Sequence, residues 1–269
     1  MKHADRCCTE KFELQTTKEY AGHSTKAYGA HMKLSKTALF IAIIAAILLL
    51  VAGPGTRFGL WTFGTGFLLL RIALYTGLAV AVLSLLFLLV PKTRAGSGGP
   101  LAIALLIGLA VAWVPYSQYR TARSVPPIHD ITTDMVNPPP FVAIIPLRAD
   151  ARNPPEYMGE EIAKQQRESY PDIQTLELDA PPAATFQRAL KAVEDMGLEV
   201  VAAVANEGRI EATATTFWFG FKDDVVIRIE ALGTGSRLDI RSKSRVGRSD
   251  VGANAARIRR FVSLFQDGD

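Results

Sequence analysis

The chain has 269 residues, a formal net charge of +4 and two cysteines. Residues 1–118 hold 11 Lys/Arg against 4 Asp/Glu and the remainder holds 19 against 22, so the basic excess belongs to the first part and gives no nucleic-acid surface on the second. Cys7 and Cys8 are adjacent and near the N-terminus, which excludes a disulfide framework or a cysteine-ligated metal in the C-terminal half.

Residues 1–36 are polar, mixed in charge and without periodicity, and read as a cytoplasmic tail. Met32 opens MKLSKTALFIAII, a usual way for a membrane protein or signal peptide to begin. Residues 1–31 therefore read as an extension upstream of the physiological start, or as a disordered tail. Three apolar runs follow, at 38–52, 67–90 and 101–114, and predict three transmembrane helices within residues 37–118. A cleaved signal over the first run, with VAG at 51–53 as its site, is the alternative. Arg71 is the one charge inside the runs, and its place near a run end suits a snorkelling side chain. Lys33, Lys36, Lys92 and Arg94 flank one side of the spans, and Arg57 lies on the other with Arg120 and Arg123 after the third run; a long translocated domain crosses regardless of such charges, so the positive-inside rule puts the N-terminus in the cytoplasm. Three crossings then put the C-terminal domain outside.

Residues 119–172 are rich in proline and read as an extended linker ending in a short polar helix at 156–170, weakly packed or exposed. From residue 173 the pattern is regular. Residues 174–179 alternate as a strand, and Phe186, Leu190, Val193 and Met196 follow at helical spacing, closed by Gly197. Four strands come next, at 198–205, 209–217, 225–231 and 237–244, with turns at Asn206-Glu207-Gly208 and Gly233-Thr234-Gly235. Val251, Ala255, Ile258, Val262 and Phe265 then form one apolar helical stripe. The order β-α-β-β-β-β-α over 173–269 predicts an α+β domain, an antiparallel sheet with helices on one face, of TBP-like or helix-grip-like class.

Two polar groups could carry chemistry. His129 beside Asp130 and Asp134 is a pattern for a general base or a ligand. The structural alternative is that the aspartates cap turns and His129 docks the linker. His3, His23 and His31 all lie in the tail, so no second histidine completes a metal site, and neither metal nor cofactor is expected. The second group is the segment 237–260, with eight Lys/Arg against two Asp. Arg241, Ser242, Arg245, Asp250, Asn254 and Arg257 in it form a candidate anion site beside a helix N-terminus. The structural alternative is a solvated strand face laced with ion pairs to Glu211 and Glu230. Phe217-Trp218-Phe219-Gly220-Phe221 has too many rings for one strand face and suits an interface. A nucleophile elbow, a phosphate-binding glycine loop and zinc signatures are absent from the sequence.

The segments PIHDITTD at 127–134, NPP at 137–139, YPD at 170–172 and DIRSKSRVGRSDVGANAARI at 239–258 resemble the domain-of-unknown-function family numbered 1499, known from bacterial envelopes and plastid-bearing organisms. The resemblance covers about 125–266 and leaves out the apolar runs. It implies a bacterial inner-membrane, periplasmic setting, and it transfers no activity or catalytic residue. It also implies that the polar set belongs together, with Asp130 or Asp134 meeting Arg241, Arg245 or Arg257 when the linker folds back. The leading expectation is a non-enzymatic multi-pass envelope protein embedded in a lipid bilayer, whose extracytoplasmic module binds a lipid, an anionic envelope ligand or an envelope protein partner. An extracytoplasmic hydrolase using His129 with Asp130 or Asp134 is the alternative, and a scaffold in an envelope complex is the third class.

Overall fold

The computed structural model describes residues 4–94 and 96–267, with side chains from Gly29 onward. The expectations on His3 and on the side chains of Cys7, Cys8 and His23 therefore lie outside what is described. The chain divides into two compact units, Met1–Ser117 and Gln118–Asp269.

The first unit is helical: α1 (Ala4–Arg57), α2 (Phe63–Leu89), the single turn α3 (Pro91–Arg94) and α4 (Gly98–Ser124), which continues into the second unit. The segment expected to be an irregular tail is instead helical from Ala4 and continuous with the apolar run. Three stretches, Gly29–Arg57, Phe63–Leu89 and Gly98–Ser124, are long and apolar enough to cross a membrane. Their burial pattern inverts that of a water-soluble bundle. Ala42, Ala45, Ala73, Ala81 and Ala104 are buried, while Phe40, Leu50, Leu68, Leu86 and Leu106 face outward. Small residues inward and large apolar residues outward suit helices that pack backbone to backbone in lipid. A close approach joins α2 and α4: a Cβ at Gly77 would lie 2.9 Å from the Gly108 carbonyl oxygen, and one at Gly108 would lie 2.6 Å from that of Gly77. Arg71 is exposed on α2.

In the second unit, β3 (Glu199–Val204), β4 (Arg209–Thr215), β5 (Lys222–Leu232) and β6 (Gly235–Ser244) form an antiparallel meander. Two three-residue strands, β1 (Asp130–Thr132) and β2 (Leu176–Leu178), both pair with the far edge of β6. The helices α6 (Pro182–Asp195) and α7 (Ala253–Asp267) cover one face, where Phe186, Val193, Ile227, Ile240, Ile258 and Phe261 share the core. Each turn has its chemical reason. Pro182 sits at the first helical position of α6, where its missing N–H costs nothing. Gly197 takes φ of 70° and closes the helix through its N–H to the Glu194 carbonyl. Gly208, at φ of 61°, lets the Ile229 carbonyl pass where a Cβ would come within 2.0 Å.

The linker expectation needs the larger correction. Residues 128–158 are a wall of the unit, supplying β1 and then a coat over the sheet face opposite α6 and α7. Phe141 and Ile144 pack there on Val226. The polar helix expected to be loose is α5 (Glu160–Ser169), whose Ile162 joins the core. Its buried Gln166 donates through Nε2 to the Thr132 carbonyl (2.6 Å) and accepts from the Thr132 N–H (3.1 Å). One side-chain amide thus does the work of a neighbouring strand and closes the open edge of β1.

The helix seam gives the first prediction. Gly108→Val forces α2 and α4 apart and lowers the thermal unfolding temperature of the detergent-solubilised chain. Gly99→Ala, which faces open space on α4, leaves it unchanged. Equal temperatures for both variants would remove the close contact from the account.

Candidate functional site: an ion-paired sheet face under a proline-rich coat

Alternation along β6 sends Leu238 and Ile240 into the helix-covered core, so Arg237, Asp239, Arg241 and Lys243 project from the other face. The register sets Asp130 opposite Lys243 and Thr132 opposite Arg241. The Asp130 carboxylate accepts from Nε and Nη2 of Arg241, both at 2.8 Å, and from Nζ of Lys243 at 2.9 Å. All three side chains are buried. Arg241 also donates to the carbonyls of Pro139 (3.3 Å) and Pro155 (2.9 Å), and Lys243 donates to that of Glu156 (2.6 Å). The rings of Phe141 and Tyr157 lie 4.9 and 5.5 Å from the Arg241 guanidinium carbon. Proline carries a carbonyl but no N–H, so a coat rich in proline needs donors from the sheet, and these cations supply them.

The rest of the face follows the same rule. Asp134 accepts from the N–H groups of Val136 and Asn137 through Oδ1 and from Arg228 (3.0 Å) and Arg237 (2.8 Å) through Oδ2. Burial alone would raise its pKa, but those N–H groups and Arg228 outweigh it and hold the carboxyl below the ordinary range. Asp239 takes both of these arginines together with the hydroxyls of Thr133 and Thr175. Asp224 accepts a fork from Arg245 (2.9 and 2.8 Å) and one bond from Arg148 (2.5 Å). Glu211 accepts from three successive N–H groups of the coat, those of Val142, Ala143 and Ile144, and pairs with Arg209. Burial pushes the Lys243 ammonium down despite Asp130, and Arg241 and Arg148 add to the depression. Burial, with the nearby Asp130 charge, pushes the Tyr157 hydroxyl up to about 12.

The expected polar set thus divides between the two faces of the sheet. Arg241 and Arg245 belong to the coat side. Ser242, Asn254 and Arg257 belong to the helix side: Ser242 donates to Asn254 Oδ1 (2.7 Å), and Arg257 donates to the Ser242 hydroxyl (2.9 Å) and to Asp223 (2.7 Å). Asp250 caps the start of α7, accepting from Gly252 N–H and Asn254 N–H at 2.8 Å each. Of the pairings foreseen for the linker aspartates, Asp130 meets Arg241. Asp134 meets Arg228 and Arg237 instead, while Arg245 and Arg257 pair with Asp224 and Asp223 from β5.

His129 is buried just ahead of β1. Its main-chain oxygen accepts from Ser244 N–H (2.9 Å) and Asn254 Nδ2 (3.0 Å), and its Nδ1 lies 3.3 Å from the Arg248 carbonyl oxygen. The carbonyl fixes Nδ1 as the protonated nitrogen in the neutral ring. Nε2 is buried and has no hydrogen-bond partner among the described residues. Burial holds the imidazole pKa below its ordinary value; the Arg248 carbonyl opposes this, Lys243 adds to it, and Asp130 and Asp250 oppose it in turn. No group of three His, Cys, Asp or Glu residues stands close enough to hold a metal among the described residues.

Sequence reasoning passed over Arg148, Asp224 and Tyr157. Arg148 is the one cation in the stretch IIPLR, and it is buried while Ile145, Pro146 and Leu147 beside it are exposed, so no local pattern marks its burial. A cleft of about 260 Å³ lies beside α7, floored by Ile173, Leu176, Ile258 and Val262, with Arg259 and Asp172 at its rim. It too left no mark in the spacing, because its walls come from three separate segments.

The ion pairs and the buried His129 each give a prediction. Asp130→Asn leaves Arg241 and Lys243 buried side by side without their anion, so it should cost about 3–5 kcal/mol of stability, read from denaturant midpoints of the full chain in detergent. Asp172→Asn, which breaks the exposed pair with Arg259, should shift the midpoint little; comparable losses would overturn the assignment. The second concerns pH. The folded His129 has the lower pKa, so the unfolded chain takes up the proton first, and the stability held above the unfolded pKa of about 6.5 is lost as pH falls from there towards the folded value. The unfolding temperature of His129→Gln should therefore fall less steeply than wild type below that pH, and parallel curves would refute it.

Among curated proteins none matches the chain. A family model described as "Protein of unknown function (DUF1499)" matches residues 130–265, from the aspartate that opens β1 to the last buried phenylalanine of α7. That match spans half of the chain and the whole of the coated sheet, and the chain belongs to this family.

Proposed function

We propose that the protein is a non-enzymatic membrane protein whose α+β unit lies outside the cytoplasm and binds a lipid or other small amphipathic ligand. The observation that carries this reading is where the chemically capable side chains are committed. Asp130 and Asp134 are taken up by guanidinium groups, and the Nδ1 of His129 by a main-chain carbonyl. The arginines suggested by the sequence as an anion site are neutralised by Asp130, Asp223 and Asp224. In this reading that set is the fastening of the coat, and the α7 cleft, apolar in floor and polar at its rim, receives the ligand. The extracytoplasmic setting is supported by the basic residues Lys33, Lys36, Lys92 and Arg94 on one side of the three spans. A TBP-like or helix-grip-like description of the sheet belongs to the same proposal, since both helices lie on one face.

Native mass spectrometry of the full chain, purified from membranes in detergent, should show a bound lipid mass. Val262→Trp, which fills the cleft from α7, should lose it. A polypeptide-only mass in the wild type, or equal retention by the variant, would reject the cleft as the binding site.

A further inference from the structure

The loop between β4 and β5 carries four aromatic rings in five residues. Phe219 stacks on Phe221 with centroids 5.2 Å apart, and Trp218 meets Phe219 edge-on at 5.6 Å. Phe221 N–H donates to the Thr216 hydroxyl (2.8 Å), and Thr216 N–H to the Phe221 carbonyl (2.8 Å). The loop is therefore closed and preorganised, yet it leaves Phe217 91% exposed. The surroundings repeat the theme. Arg245 holds this end of the sheet together, its main-chain N–H donating to the Lys222 carbonyl and its guanidinium to that of Leu147. Leu147 is about half exposed, and Lys222 and Arg248 are exposed as well.

The end of the sheet that carries this loop is also where the chain arrives from α4. Only residues 125–129 separate Ser124, the last residue of α4, from Asp130. Asp130 enters opposite Lys243, and Ser244, the next residue of β6, pairs with Asp223 beside the loop. A helix long and apolar enough to cross a membrane thus hands over directly to the edge of the unit where an exposed phenylalanine, a tryptophan and two cations gather. Aromatic rings that are apolar in body and polar at the tip favour the bilayer interface, and lysine and arginine favour its phosphates.

We infer that the β4–β5 loop seats in a lipid bilayer: Phe217 and Leu147 enter the headgroup–acyl boundary, Trp218 lies at headgroup level, and Lys222 and Arg248 meet lipid phosphate. The inference rests on the three apolar helices crossing that same bilayer. A short tether supplies most of the encounter, so a small inserted patch suffices where a free domain would need a larger one.

The test uses the full chain in vesicles of phosphatidylcholine and phosphatidylglycerol, with two of Trp61, Trp113 and Trp218 changed to Phe so that one tryptophan reports. Lipids brominated high on the acyl chain should quench Trp218 emission and leave a blue-shifted spectrum, and Phe217→Asp in that background should lose both. Trp113, which lies in the third apolar helix, is the control. Quenching of Trp113 without quenching of Trp218, or quenching of Trp218 unaffected by Phe217→Asp, would overturn the inference while leaving the spanning helices intact. Loss of both signals would strike the membrane reading itself. In the unaltered chain, amide exchange over residues 216–222 should be slower in vesicles than for Phe217→Asp, and equal rates count against the loop whatever the tryptophan variants do.

Discussion

Asp130 stands where Arg241 and Lys243 converge beneath a coat of proline carbonyls, and the C-terminal unit is built around keeping those charges paired and dry. A buried arginine and a buried lysine side by side repel each other and lose hydration. One carboxylate between them answers the repulsion, and the carbonyls of Pro139, Pro155 and Glu156 answer the lost hydration. Neither answer is available from the four-stranded meander alone. The carboxylate comes from β1 and the carbonyls from the segment after it, so the sheet face is stable only when residues 128–158 lie on it. Docking of the coat and completion of the sheet are one event.

The two units solve the burial of polar backbone in opposite ways. In the helical unit the backbone satisfies itself, and the seam between α2 and α4 sets Gly77 against Gly108, with Ala81 and Val111 beside them, so that the main chains can approach. In the α+β unit a segment short of N–H donors is buried, and the sheet meets it with long cationic side chains that carry donors of their own. The first solution needs small residues and the second needs large ones. Gly77 against Gly108 and Arg241 against Pro155 are the two extremes within one chain.

These differences decide what could be read in the sequence. The apolar runs, the meander and the stripe on α7 from Ala255 onward were legible in local patterns: composition for the spans, a period of two residues for strands, between three and four for helices; Val251, expected to begin that stripe, instead lies ahead of α7 and is exposed. The pairing of Asp130 with Arg241 was legible through the grouping of polar segments rather than through any period. The burial of the charged face was not. Alternation in RLDIRSKS shows that one face is charged, but a charged face ordinarily points to water, and only the coat reverses that expectation. Prolines at 138–140 and 154–155 suggested a linker because they forbid helix and ladder; that they also present free carbonyls to a partner is visible only when the partner is an arginine. Arg148 and Asp224 meet across 76 positions of sequence, beyond any local rule. The three-residue strands β1 and β2 are too short to show a period at all.

His129 marks the junction at which these constraints meet. It is the residue just before β1, and its carbonyl is the point at which Ser244 and Asn254 grip the incoming chain. Its ring is dry, close to Lys243, and held through one nitrogen by the carbonyl of Arg248. A charged imidazole there would add a third cation to a group that already balances Arg241 and Lys243 on one aspartate. Neutrality of this ring is therefore a condition of the same clasp, in which the sheet and α7 hold the segment arriving from α4 through the His129 carbonyl.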